Sequence, residues 1–181
     1  IMADIPSGIS RFLERNQVQV LQGEKSGEGF AEVFMPTETH SPSPGQPAIE
    51  LRNVRDKDPK DIVSGEALHF MGGSNASNQP FHPQFHALKQ EFIGHMTERQ
   101  MQVAQGKLDV FKKEGKKGTN FQDAGSFIYN VFSDEMIRGG IFPQLMLSKK
   151  EQEAFERGDP FSPEQKAILE QMKNIVHDRV R

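Results

Sequence analysis

Apolar positions recur along this chain in two rhythms. Near the start, Ile9, Phe12 and Leu13 fall three and four apart, the spacing of one helical face, and predict a short helix within residues 5–16. Val18–Leu21 and Gly29–Met35 supply strand-type residues, with Phe30, Val33 and Phe34 in the second, and GEKSGEG between them reads as a turn. Residues 36–47 (PTETHSPSPGQP) hold four prolines and no large apolar side chain, which predicts an exposed loop. Ile49-Glu50-Leu51-Arg52 alternates apolar with polar, so a half-buried strand is expected over 48–54.

From residue 58 onward the rhythm is helical. Asp58 suits an N-cap and Pro59 the first helical position; the helix should run to about Met71 and stop at Gly72-Gly73. A polar loop follows over 72–81. Pro83 then opens a long helix, expected over 83–113, with Phe85, Leu88, Phe92 and Met96 on one stripe. Asn120 is the expected cap of the next helix, which carries Phe121, Ala124, Ile128, Val131 and Phe132. Ser133 followed by Asp134 and Glu135 reads as a fresh N-terminus, since acids suit the first turn. Gly139-Gly140 should end it, and Ile141–Leu147 reads as an apolar connector. Ser148-Lys149-Lys150-Glu151 and Ser162-Pro163-Glu164-Gln165 both fit capping boxes. Gly158 should close the first of these helices; Ile168, Leu169, Met172, Ile175 and Val176 form the stripe of the second. The expectation is one α+β domain over residues 1–181: a small antiparallel sheet of two to four strands, with the β-containing part to about 56, packed by five or six helices over about 57–181.

Composition narrows the function classes. The chain has 181 residues, enough for one domain with its own core. Apolar residues are 35%, charged residues 26%, and mean hydropathy is −0.63, so a soluble chain without a membrane span is expected. No charged-then-apolar leader is visible and there is no cysteine, which suggests a cytoplasmic, reducing location. The absence of cysteine also excludes disulfides, thiolate zinc sites and cysteine nucleophiles. A net charge of −3 argues against a nucleic-acid partner. The 14 phenylalanines, beside one tyrosine and no tryptophan, read as core rather than as a base-stacking surface.

One segment carries candidate chemistry. In DIVSGEALHF (residues 61–70), Gly65, Glu66 and His69 share a helical face, while Val63, Ala67 and Phe70 line the neighbouring apolar face. A carboxylate beside an imidazole suits a general base next to a metal ligand. The same pair on a half-exposed helix also fits a solvated, hydrogen-bonded couple with no further role.

These residues resemble the zincin metallopeptidases, which place His-Glu-x-x-His on a helix that follows an edge strand. Here the segment is Gly65-Glu66-Ala67-Leu68-His69, after the strand around Ile49–Val54. The resemblance implies Glu66 as the catalytic glutamate and His69 as a zinc ligand. It also implies a third ligand from a later helix, where Glu135 or Asp134 stands, and a peptide substrate added along the Ile49–Val54 strand. Glycine cannot ligate, and catalytic zinc normally has three protein ligands. The resemblance therefore implies a degenerate, non-catalytic relative unless another histidine enters.

His82, His86 and His95 are the histidines to consider. His82 should fall at the N-cap of the helix opened by Pro83, with His86 one turn inside; Glu91 and His95 are four apart. His86 and His95 are thus candidate metal ligands with His69 and Glu135. The alternative is that His82 and His86 cap and pack the start of that helix. The competing function is a structural or protein-interaction role without enzymatic activity, in which the long Phe/Met helix and the proline loop contact a protein or peptide partner, or a second copy of the chain.

Overall fold

The computed structural model describes residues 5–23, 31–34, 45–52, 58–73, 82–114, 123–142 and 161–179. In chain order these form α1 (Ser7–Arg15), β1 (Gln19–Gln22), β2 (Ala31–Phe34), β3 (Ala48–Leu51), α2 (Pro59–Gly72), α3 (Pro83–Gly94), α4 (Glu98–Glu114), α5 (Ala124–Phe127), a π-helical turn (Ile128–Phe132), α6 (Ser133–Ile141) and α7 (Pro163–Val176). The run 124–141 is one continuous helical body, so the class is α+β, as the periodicity predicts. The chain divides into two compact units. One comprises Ile1–Gly73, Ser77–His86 and Met172–Arg181; the other comprises Ser74–Ala76 and Ala87–Gln171. The helix expected within 148–158 lies outside the described residues.

In the first unit the strand order is β1-β3-β2. β3 pairs antiparallel with β2 and parallel with β1, with Ile49 opposite both Val33 and Val20. The sheet is therefore mixed rather than wholly antiparallel. Sequence neighbours β1 and β2 do not pair, because the most apolar strand takes the centre. Ala48, Ile49 and Leu51 are buried, whereas Gln19 and Gln22 of β1 stay exposed. Glu50 and Arg52 alternate with the buried residues, as expected, and form an ion pair of 2.6 Å. α2 packs against β2, β3 and α1. Phe12 of α1 meets Phe70 of α2 edge to face at 5.6 Å.

This unit is closed by residues far apart in sequence. The start of α1 lies against the end of α7: Ser7 Oγ donates to the His177 carbonyl (3.2 Å), and Arg11 pairs with Asp178 (2.6 Å). Gly8 makes the approach feasible, because a Cβ there would overlap the Ile175 carbonyl oxygen. The positive end of one helix thus faces the negative end of another.

In the second unit the expected single helix 83–113 is two. α3 ends at Gly94, and Thr97 starts α4 with a capping box. The Thr97 hydroxyl accepts the Gln100 N–H (3.1 Å) and the Gln100 side-chain oxygen accepts the Thr97 N–H (3.0 Å). Ser162 and Gln165 repeat this arrangement at α7, at 3.1 and 3.0 Å, as their sequence predicts. The two N3 glutamines then bond each other reciprocally, at 2.8 and 2.9 Å, with Gln165 fully buried. The cap of α5 is Asp123 rather than Asn120: its carboxylate accepts the Ser126 N–H at 2.7 Å. Ser133 opens no fresh helix. Its N–H reaches back to the Ile128 carbonyl, closing the π-turn, and its hydroxyl donates to the Tyr129 carbonyl (2.9 Å). The helix also passes through Gly139-Gly140 to Ile141.

Gly8→Val should destabilise the chain by about 1–3 kcal/mol or more, read as a lower urea midpoint, because its side chain must displace the end of α7. Gln165→Ala should cost about 2 kcal/mol in the same measurement, since it removes one box and leaves the buried Gln100 amide without its partner.

Candidate functional site

α2 is built as its sequence dictates. Asp58 accepts the Lys60 N–H at 3.0 Å, Pro59 takes the first turn, and Gly73, at φ 72°, closes the helix by donating to His69 and Phe70 carbonyls. Val63, Ala67, Leu68, Phe70 and Met71 are buried, and Glu66 and His69 lie half-buried on the flank. Gly65 sits inside the helix and is buried, so the position of the first zincin ligand offers no donor atom. β3, the strand expected to receive a peptide, is the central strand with neighbours on both sides. It has no free edge for an added strand; here the structure corrects the expectation.

His82 and His86 cap and pack the start of α3. The His86 N–H donates to the His82 carbonyl (2.9 Å), and His82 Nδ1 accepts the Phe85 N–H (3.1 Å), which makes His82 the N-cap. Burial holds the His82 pKa below the ordinary histidine value, and the nearby Arg15 charge lowers it further against an opposing backbone hydrogen bond. His86 Nδ1 lies 2.6 Å from the Gly72 carbonyl. A carbonyl only accepts, so this nitrogen carries the proton. His95 is exposed, and its N–H closes α3 on the Glu91 and Phe92 carbonyls.

Glu66, His69 and His86 belong to the first unit; His95 and Glu135 belong to the second. Glu135 is held by Lys107 at 3.1 Å. Among the described residues, no three of His, Asp or Glu stand where they could share one metal ion.

The second unit holds a polar cluster that the periodicity did not reveal. Lys89 is fully buried, 3.0 Å from Asp134 and 4.3 Å from the centre of the Tyr129 ring. Tyr129 belongs to the π-turn, a rare geometry in which one residue is accommodated by widening the helix. Burial and the Asp134 charge raise the Tyr129 pKa, against a hydrogen bond from Gln90. Lys107 also lies 5.8 Å from the Phe132 ring centre. Asp134 and Glu135 therefore serve as counter-ions for two lysines rather than as first-turn acids. One signal was available: Lys89 occupies the fourth position after Phe85, inside the apolar stripe of α3, where a charge needs a partner.

No family model, curated protein or solved structure matches this chain.

Asp134→Ala should destabilise the protein by about 3–5 kcal/mol in urea unfolding, because it leaves the Lys89 ammonium buried without its carboxylate. Adding Lys89→Met should restore most of that loss, which separates an uncompensated charge from lost packing.

Proposed function

We propose that this chain is a non-catalytic α+β domain that works by binding protein, in assembly or as an effector. The observation that carries the reading is α4. Met101, Val103 and Val110 are 46%, 44% and 51% exposed, and they are the exposed large apolar side chains among the described residues. Scattered singly such residues mean little, but Val103 and Val110 on one face of this 17-residue helix mark a contact surface. Val103 and Val110 are seven apart and share a face; Met101 lies on the other flank. The opposite side of α4, with Ala104 and Leu108, is already buried. A long, half-buried helix with apolar residues facing water suits a helix-in-groove or helix-on-helix contact. The absence of cysteine fits such a role in the cytoplasm.

A second reading keeps the zincin-like relation, and one observation favours it: Glu66 and His69 occupy the same half-exposed flank of α2. In that reading His69 would be a zinc ligand, Glu66 the general base, and the domain a degenerate relative.

Two measurements separate the readings. Light scattering on the eluting full chain should give a mass that rises above 20.4 kDa with concentration, or on adding a peptide partner, and Val103→Lys with Val110→Lys should abolish the rise. Elemental analysis of protein purified without chelator or histidine tag should find no zinc that survives dialysis. Near-stoichiometric zinc that is lost in His69→Ala would overturn the binding reading in favour of the second.

A further inference from the structure

His82 and His86 sit one turn apart, yet their ring nitrogens do opposite work. His82 Nδ1 accepts the Phe85 N–H at 3.1 Å, which only an unprotonated nitrogen can do. His86 Nδ1 donates to the Gly72 carbonyl at 2.6 Å, which a neutral or a charged ring does equally well. The charged group facing His82 is Arg15 of α1, and Phe12 of α1 lays its ring 6.3 Å away. On its own helix the titratable neighbour is His86, tied to the end of α2. A second cation at His82 would meet Arg15, an apolar ring and the positive end of α3 together.

We infer that His82 is a pH-sensitive N-cap: once protonated, it releases the Phe85 N–H and frees the first turn of α3. The sign follows from the geometry and from the lowered pKa. A group whose folded pKa is depressed contributes stability that is fully present above the unfolded value, here 6.5. That contribution falls away as pH drops through 6.5 toward the lowered value. Pro83–His86 belongs to the first unit, as do Phe12, Arg15 and Gly72, so the whole device lies within that unit. The helix start is thus held at neutral pH and let go in mild acid, while the His86 tie to α2 persists.

Proton NMR of the full chain tests this. The His82 ring should titrate below 6.5. After correction for intrinsic rates, protection of the Phe85 amide against hydrogen exchange should fall roughly tenfold relative to that of Leu88 between about pH 7.5 and 5.5. His82→Asn keeps a capping oxygen without the titration, so its Phe85 protection should stay level across that range. His177→Gln should keep the wild-type fall, because the other histidine of lowered pKa lies at the end of α7. A His82 titration at or above 6.5, level Phe85 protection in the wild type, or an undiminished fall in His82→Asn would each overturn the inference. The wild-type titration stands even if a variant does not fold.

Discussion

The amides of Gln100 and Gln165 face each other inside the second unit, and each also closes the first turn of its own helix. Each side-chain oxygen accepts from a cap residue's backbone and from the other glutamine. Each nitrogen donates across the pair, and Gln165 also reaches the Phe92 carbonyl at 3.5 Å. Orphan backbone donors at two helix starts are thereby satisfied by one closed network, in a place where water does not reach. A network of this kind is specific because neither half is complete without the other. It also explains the break at His95–Thr97: α4 must begin where its third residue can meet Gln165, so one continuous helix would misplace Gln100.

The acids at 134 and 135 show how the same residues read differently in one dimension and in three. As a sequence they suggest a helix start and a metal-binding carboxylate. In the fold the helix is already under way, having widened through one π-turn, and each acid is committed to a lysine. Lys89 is the costlier of the two lysines to keep, since a fully buried ammonium loses its hydration and recovers only part of it from Asp134 and the Tyr129 ring.

What could be read in advance follows from what is local. Asp58-Pro59, the Gly72-Gly73 stop, the Ser162 box, the alternation over Ile49–Arg52 and the faces of α1 and α7 are decided by neighbours within four residues, and all appear as the sequence implies. His82 as a cap was legible for the same reason. Strand order was not, because β1 and β2 are separated by a third strand that is made later. The Lys89–Asp134 pair and the two-glutamine bridge were invisible too, joining residues 45 and 65 apart that no short window relates. Of the candidate site, Glu66 and His69 fall on one flank of a helix, as their spacing implies; the strand before them is central rather than an edge.

The closure of the first unit bears on how the chain is made. Ser7, Gly8 and Arg11 leave the ribosome well before the residues they pack against, Ile175 to Asp178, which come after an intervening stretch of more than 160 residues. The sheet, α1 and α2 can gather early, but the wall that covers the start of α1 does not exist until Ile175–Asp178 have been made. During that interval Ile9 and its neighbours lack part of their burial, and the unfinished unit is the species most open to a chaperone or a protease. This contact is also long-range, so it is expected to slow folding more than the many short-range helical contacts do.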